Sequence, residues 1–507
     1  MRAPNRPAVL ALALLVLAAL AMSGCSASSS RTGVLRVVAQ SEPVTLNPVY
    51  SATSDVKSWG PMFDSLVGTD RASTEPDQNG LLYGWTRVTP TAWRFKVREG
   101  VTFHNGEVFD AAAAAFSIQQ IITDPKAPLA GNFSAVAGAK PVGADLEVTT
   151  KEPFPALPSM LAITMAVPPK AYQKEGGDAF GAHPIGTGPF VFSDYIRGAT
   201  LETVANPHYW RGAPKLKGVT LSWSTDAQTR ASFVQTGQAD IALDLTPQTL
   251  RTVRADRNLT VVEKPIDARY FVYFNQKAPP FDNPDLRRAA ALAIDKAGLV
   301  QGLFRQGGAS VYDHFVGDLF LEKKPPAYPD AISHDLAEAK SLLASVPGPH
   351  RITFSYATGR SPNDDQIGAA IVGMLQAAGF TVTNEPMDFA TFSERRNSNT
   401  MQATGLQIIV AFRDPDEEFR PWVGKTAITK NCVSAPYDEL SAKALAEPER
   451  GPREEIYSQM EDLLINKDVC YVPILRYDGI WAMGKNVRGF VPPRFASPDY
   501  YEISVGS

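Results

Sequence analysis

The side chains most able to do chemistry in this 507-residue chain show no catalytic or metal-binding spacing. The six histidines are dispersed, and no two of them have the close spacing of a metal-binding helix. The chain has no Gly-x-Ser-x-Gly nucleophile motif, no phosphate-binding Walker loop and no Gly-x-Gly-x-x-Gly fingerprint. The adjacent acids Glu417 and Glu418 stand at a predicted helix start, where a solvated surface is the first interpretation. We therefore expect no catalytic residue, no metal site, no cofactor and no enzymatic activity.

Cysteine chemistry is limited to three positions, Cys25, Cys432 and Cys470. In an oxidising compartment Cys432 and Cys470 can pair as a disulfide. Two separate buried thiols are the alternative, because free cysteine packs as a small apolar side chain. The sequence leaves both possibilities open, since it does not give the distance between the two sulfur atoms.

The first 24 residues have the organisation of a secretory signal peptide: Arg2 and Arg6 precede an Ala-, Leu- and Val-rich run at 9–21. This run is shorter than the ~20 residues that a membrane-spanning helix needs. The small residues before Cys25 resemble the lipobox of bacterial lipoproteins, whose cysteine receives a diacylglycerol and becomes the new amino terminus, although Met22 stands where Leu is usual. We expect Cys25 to anchor the chain to the outer face of the cell membrane, with 25–34 as anchor and tether. Conventional cleavage without a lipid is the alternative.

Charge and length restrict the class of protein further. The formal net charge is −4, and removal of residues 1–24 takes away two positive charges to give −6. The chain has no basic block, so a nucleic-acid partner is not expected. The mature chain is longer than one hydrophobic core usually serves, and at ~150 residues per domain it corresponds to about three structural units.

Strand and helix patterns alternate along the chain. The Val-rich segment 34–39, the alternating segment 92–98 and the aromatic segment 270–275 predict strands. Asp110 is placed to cap an Ala-rich helix, and Pro284 stands in the first turn of another. This alternation predicts an α/β fold.

Five sequence motifs stand in a fixed order along the chain, at 93–106, 185–190, 206–210, 237–240 and 278–289. In this order, behind a lipobox-like cysteine, they resemble the peptide-, opine- and nickel-binding receptors of ABC importers, family 5 of the extracellular solute-binding proteins. The resemblance extends over nearly the whole chain. It assigns the motif residues Trp93, Phe103, Tyr209 and Trp210 to the scaffold.

The resemblance implies a two-lobed periplasmic-binding-protein type II fold with an inserted third subdomain and a hinged ligand cleft. Lobe I would consist of 35–72, 187–266 and 478–507, the inserted subdomain of 73–186, and lobe II of 267–477. It also implies a monomer that closes on its ligand and delivers it to ABC permease subunits with a cytoplasmic ATPase.

The resemblance further implies a peptide or similarly extended ligand, bound mainly by backbone hydrogen bonds as an added strand. In many peptide-binding members an aspartate four residues before a proline holds the ligand's amino group. Counting back from Pro415 places Ala411 there, which would forfeit a charge-assisted bond of ~1.5–3 kcal/mol. Either the ligand is not an ordinary free-amine peptide, or Asp414 or Asp416 takes this role. A blocked peptide, an opine-like or sugar-conjugated molecule and a metal chelate would all fit the first alternative.

Other candidate ligand contacts follow from chain position and side-chain type. Arg360 opens a helix, where it could face a carboxylate, and Arg413 could face an anion or pair with a neighbouring acid. Aromatic residues near the expected cleft could stack on a ligand, with core packing as the alternative. The candidate ligand-binding residues are Tyr50, Ser51, Trp59, Asn275, Arg360, Ala411, Phe412, Arg413, Asp414 and Trp422.

One alternative function is left open. Some lipoproteins similar to this family keep the fold yet regulate cell-envelope assembly through protein contacts instead of serving a transporter.

Overall fold

A computed structural model describes most of the chain beyond the predicted signal peptide and tether. The described residues are 33–51, 60–69, 76–317, 330–409, 414–425, 427, 430–432, 434–493 and 498–506. The predicted lipid-attachment residue and four predicted ligand contacts lie outside them: Cys25, Trp59, Ala411, Phe412 and Arg413. None of the helices in the described ranges combines the length and apolar character needed to span a bilayer.

The described residues form nineteen strands. They are β1 (Val34–Ala39), β2 (Gly68–Thr69), β3 (Pro76–Asp77), β4 (Leu82–Thr89), β5 (Ala92–Val97), β6 (Val136–Val142), β7 (Asp145–Thr150), β8 (Phe190–Ile196), β9 (Thr200–Ala205), β10 (Gly218–Trp223), β11 (Ile241–Ala242), β12 (Leu259–Phe274), β13 (Ala309–Val311), β14 (Arg351–Ala357), β15 (Thr381–Met387), β16 (Ala403–Ile409), β17 (Tyr471–Gly484), β18 (Val487–Arg488) and β19 (Ser504–Val505).

Fourteen α-helices alternate with these strands in the described ranges. They are α1 (Ala111–Thr123), α2 (Leu157–Leu161), α3 (Pro169–Glu175), α4 (Gly177–Phe180), α5 (Ala227–Gln235), α6 (Pro247–Ala255), α7 (Pro284–Ala293), α8 (Lys296–Leu303), α9 (Leu336–Ser345), α10 (Asp364–Ala378), α11 (Phe389–Asn397), α12 (Pro415–Phe419), α13 (Ala435–Ala446) and α14 (Arg450–Asp462).

Local sequence signals explain several of these elements. The predicted strands at 34–39 and 270–275 are confirmed as β1 and the end of β12. The helix predicted after Asp110 is α1, whose first-turn N–H groups at Ala112 and Ala113 donate to the Asp110 carboxylate. Helix α7 begins at Pro284 with Asn283 as its cap.

A large mixed sheet organises the described part of the chain. Its strands follow the order β15-β14-β16-β12-β17-β11-β1-β10-β9-β8, with β13 added against β17. Parallel pairs β1–β10 and β14–β15 alternate with antiparallel pairs such as β12–β16, and a separate four-stranded sheet has the order β4-β5-β7-β6. The predicted α/β class is confirmed.

Two long antiparallel strands, β12 and β17, cross the predicted boundaries between the lobes. They pair from Leu259 opposite Gly484 to Tyr273 opposite Tyr471, and their register shifts between Pro265 and Arg269. The predicted boundaries at 266/267 and 477/478 coincide with this irregularity. The division into two lobes and an inserted subdomain stays a prediction.

Alternating side chains of β12 enter two different cores. Tyr270 and Val272 pack in one apolar cluster with α7 and α10, while Phe271 and Tyr273 pack in another with α11 and α12. This follows from the two-residue period of a strand, which sends neighbouring side chains to opposite faces of the sheet. The face formed by Phe271 and Tyr273 carries the candidate functional site.

Candidate functional site

The loop between β14 and α10 holds the predicted contact Arg360. The carboxylate of Asp364 accepts backbone N–H groups from Arg360, at 2.9 Å, and from Ser361. Asn363 has a left-handed backbone with φ of 63° and accepts a hydrogen bond of 2.8 Å from Gln248 Nε2. Burial raises the pKa of Asp364 to about 6. The hydrogen bonds to Asp364 therefore stabilise the conformation of this loop.

The guanidinium of Arg360 lies over an aromatic ring at the start of α11. Its Cζ is 4.2 Å from the ring centroid of Phe389, and the side chain is half-buried. Burial, followed by the nearby positive charge of Arg396, lowers the pKa of Arg360. No acidic side chain among the described residues forms an ion pair with it. The guanidinium is positioned by packing on Phe389, and the nearby Asp364 carboxylate opposes the lowering of its pKa without forming an ion pair with it.

Arg396, at the other end of α11, was not among the residues predicted from the sequence. Its Cζ lies 5.4 Å from the ring centroid of Trp422, a predicted ligand contact. Its hydrogen bonds within the described ranges go to Asn397 Oδ1, at 3.2 Å. A signal for Arg396 existed in its position seven residues after Phe389, which places both on one face of a helix.

The two acids proposed as substitutes for Ala411 are engaged within the protein. Asp414 caps α12 by accepting the N–H of Asp416 at 3.0 Å, and it forms a 2.9 Å ion pair with Arg453. Asp416 forms a 3.0 Å ion pair with Arg420. Both acids are at most 4% exposed, and burial raises the pKa of Asp416 to about 6. Each carboxylate already has a cationic partner.

The same segment contacts residues assigned to the inserted subdomain. The Cζ of Arg420 lies 4.8 Å from the ring centroid of Phe154. A cavity of about 230 Å³ lies beside this contact, and its lining includes Asp414, Arg453 and Trp93. Helix α12 therefore lies where the predicted second lobe meets the 73–186 region.

The solvated interpretation of Glu417 and Glu418 is wrong. Glu417 is 7% exposed and Glu418 is 2% exposed, because α12 turns inward and packs through Phe419. The Glu418 carboxylate forms a 2.6 Å ion pair with the buried Arg269. Burial raises the pKa of Glu418, and the Arg269 charge opposes that shift.

The predicted contacts Tyr50 and Ser51 form internal hydrogen bonds. The Tyr50 hydroxyl donates to Asp124 Oδ2 at 2.8 Å, and burial raises the pKa of the phenol. The buried Ser51 hydroxyl donates to the Asn47 carbonyl at 2.9 Å. No contact within the described residues joins either side chain to the surroundings of Arg360.

The predicted contact Asn275 also forms hydrogen bonds within the protein. Its amide donates to the carbonyls of Asn399, at 3.3 Å, and Met401, at 3.1 Å. Because Phe274 pairs with Ala403, Asn275 lies at the end of β16 opposite to the segment that leads into α12. The amide group of Asn275 is thus engaged within the protein, and its role as a ligand contact stays a prediction.

Cys432 and Cys470 are joined in a disulfide with an S–S distance of 2.03 Å. Both residues are fully buried. The bond connects the segment after α12 to the residue preceding β17.

The motif residues at 185–190 and 206–210 converge on one half-buried carboxylate. Asp64 accepts hydrogen bonds from Thr187, at 2.9 Å, Tyr209, at 2.8 Å, and Trp210, at 3.0 Å. Gly188 approaches the Met62 backbone so closely that an added Cβ would lie 2.5 Å from its carbonyl carbon. These residues build the scaffold, as expected. Across the described ranges, no set of three or more His, Cys, Asp or Glu side chains is arranged to hold a metal ion.

The chain belongs to the bacterial extracellular solute-binding proteins, family 5, whose middle-region model matches residues 78–430. Heme-binding protein A of Haemophilus influenzae is 24% identical, with 65% of this chain and 61% of that protein aligned. A probable D,D-dipeptide-binding periplasmic protein of Escherichia coli is 25% identical over 89% of this chain and 90% of that protein.

The fold agrees with solved structures. An ABC transporter substrate binding protein of Listeria monocytogenes superimposes with a TM-score of 0.82 at 20% identity, covering 94% of this chain and all of that one. The chain thus has the two-lobed α/β fold of this family and is a solute-binding protein, not an enzyme. The alignment with heme-binding protein A spans less than two thirds of that relative.

Proposed function

We propose that the protein is the lipid-anchored, extracytoplasmic substrate-binding component of an ABC importer. In this role it captures a peptide or peptide-like extended solute and delivers it to membrane permease subunits driven by a cytoplasmic ATPase. Family membership supports a solute-binding role outside the cytoplasm. One structural observation carries the location of the site: Arg360 is half-buried, stacked on Phe389 and without an ion pair among the described residues.

The proposed ligand class combines this site with the names of the relatives. Those relatives are described as binding heme and D,D-dipeptides. Ala411 brings no carboxylate to the position that would hold a ligand amine, and Asp414 and Asp416 are paired with Arg453 and Arg420. We therefore favour a ligand whose amino terminus is blocked over a peptide with a free amine.

The anchor and the closing motion complete the proposal. Cys25 would carry the lipid, and the monomeric receptor would close by bending where β12 and β17 change register, between Pro265 and Arg269. Incorporation of radioactive palmitate into the wild type, and its loss in Cys25→Ser, tests the anchor. An unlabelled wild-type protein would contradict it.

A ligand that co-purifies tests the receptor function directly. The chain is produced from Ser26 onward, and its mass is recorded by native mass spectrometry before and after mild denaturation. A mass difference would show a bound solute. A thermal-shift screen of free and N-blocked peptides, heme, nickel chelates and oligosaccharides follows, because a ligand selective for the native state stabilises it by about 2.7 kcal/mol at 100 times Kd. A protein that captures no solute in either assay would contradict the proposal and favour a regulatory role through protein contacts.

A further inference from the structure

We propose that the ligand of this receptor carries two acidic groups, one bound by Arg360 and the other by Arg396. This inference rests on the proposed receptor function and specifies its substrate class: an extended solute with a blocked amino terminus and acidic groups near both ends.

The geometry of α11 places the two arginines along one face of this helix. Phe389 and Arg396 are seven residues apart, close to two full turns, and therefore lie on the same face, about 10 Å apart along the helix axis. Arg360 stacks on Phe389 at the first end, and Trp422 lies against Arg396 at the second. This face therefore has a cation and an aromatic ring at each end.

Three other arginines in this region form ion pairs with acidic side chains. Arg395 pairs with Glu385 at 2.7 Å, Arg420 with Asp416 at 3.0 Å, and Arg453 with Asp414 at 2.9 Å. In the part of the chain that the structure describes, Arg360 and Arg396 form no such ion pair. The positive charge of Arg396 lowers the pKa of Arg360 more than the Asp364 carboxylate raises it, and an anionic ligand would relieve this repulsion.

Buried polar side chains lie beside Arg396. The Tyr273 hydroxyl interacts with the side chains of Thr404 and Asn431, and all three residues are buried. Tyr273 also interacts electrostatically with Arg396. The surroundings of Arg396 at this end of α11 are therefore polar and supply no acidic partner.

The charge balance disfavours a peptide with a free amine. Such a peptide would bring a positive charge to two arginines that form no ion pair among the described residues, while Asp414 and Asp416 are paired with Arg453 and Arg420. The carboxylate of Asp364, which acts electrostatically on Arg360, is buried and accepts two backbone N–H groups of its own loop. A solute with two acids would instead form two charge-assisted, potentially bidentate bonds.

Three matched probes test this inference by isothermal titration calorimetry: N-succinyl-Ala-Ala with two carboxylates, N-acetyl-Ala-Ala with one, and Ala-Ala with a free amine. When extended, N-succinyl-Ala-Ala separates its carboxylates by about 10 Å, similar to the distance between Phe389 and Arg396 along the axis of α11. We expect the succinyl probe to bind at least about 10-fold more tightly than either other probe, as one charge-assisted bond of ~1.5–3 kcal/mol implies.

Variants separate ligand binding from structural effects. Arg396→Gln should weaken succinyl-probe binding about 10-fold or more and leave acetyl-probe binding nearly unchanged, without lowering the Tm of the unliganded protein. Arg395→Gln, the adjacent arginine paired with Glu385, is the control and should bind the succinyl probe as the wild type does.

Equal binding of the acetyl and succinyl probes, tighter binding of Ala-Ala, or unchanged succinyl binding in Arg396→Gln would overturn the two-acid inference while leaving the receptor intact. If neither these probes nor any co-purified solute binds the wild type, the receptor proposal itself fails, and the two-acid inference fails with it.

Discussion

The carboxylate of Asp414 lies 2.9 Å from the guanidinium of Arg453, and both side chains are nearly buried. This pair holds the N-cap residue of α12 against α14, since Arg453 lies 39 residues further along the chain. The Asp414 carboxylate is therefore not available to a ligand amine, because it both caps α12 and forms an ion pair with Arg453.

Loss of this ion pair should destabilise the fold. Arg453→Gln leaves the Asp414 charge buried without its cation, which costs about 3–5 kcal/mol. Urea denaturation followed by circular dichroism measures the change in the free energy of unfolding. Asp178→Asn is the matched control, because its pair with Lys126 is exposed and screened by solvent, so its loss should leave the stability nearly unchanged. Equal stabilities of Arg453→Gln and wild type would contradict a structural role for the pair.

Removal of the disulfide should also lower stability. The bond closes a loop between positions 38 residues apart, and its loss in the double variant Cys432→Ser and Cys470→Ser should cost about 2–4 kcal/mol. Thermal unfolding of this variant, and of wild type with and without reductant, measures the effect. Reductant should shift the Tm of the wild type downwards and leave that of the double variant unchanged. A reductant-insensitive wild type would indicate two unpaired thiols.

Tyr50 should contribute to stability and not to ligand affinity. Tyr50→Phe removes the hydrogen bond to Asp124 and should destabilise the protein by about 1.5 kcal/mol. The affinity for any solute found by native mass spectrometry should stay the same, because the hydroxyl is already engaged. Tyr50→Phe with wild-type stability and weakened ligand binding would restore Tyr50 as a ligand contact.

The raised pKa of Asp364 predicts that the free energy of unfolding depends on pH. Burial raises the pKa of its carboxyl to about 6 in the folded protein, above the ordinary value of 3.8. The folded state therefore binds more protons than the unfolded state between these values, and the stabilisation present below pH 4 is lost as the pH rises through 6.

Comparison with Asp364→Asn isolates this contribution, because asparagine does not titrate. The free energy of unfolding of the wild type, relative to Asp364→Asn, should fall by up to about 3 kcal/mol between pH 4 and pH 7. Urea denaturation at four pH values measures the difference. Parallel stability curves for the two proteins would show that Asp364 titrates normally.

The elements of the fold were readable from local sequence patterns. The aromatic run at 270–275 predicted a strand, and its side chains enter two cores on opposite faces. Asp110 predicted a helix start because a carboxylate at that position can accept the first free N–H groups. The five ordered motifs predicted the family, which the match over 78–430 establishes.

The candidate site was only partly readable. Arg360 was predicted from its position before a helix, whereas Arg396 stood in an Arg-Arg pair that is typical of a solvated helix end. The structure distinguishes the two members of that pair, since Arg395 meets Glu385 and Arg396 meets Trp422. Rotation by 100° per residue sends adjacent helical side chains to different neighbours, and only the packed structure determines what those neighbours are.

The sequence by itself determined the α/β class, the family and the substitution of Ala411 for an acid, because each depends on residue type and order along the chain. Tertiary structure decided which charges are neutralised: Asp414 by Arg453, and Glu418 by an arginine 149 residues away. Ion pairs act over a few ångströms in space and are independent of sequence separation, so only the folded chain shows that Arg360 and Arg396 form no ion pair among the described residues.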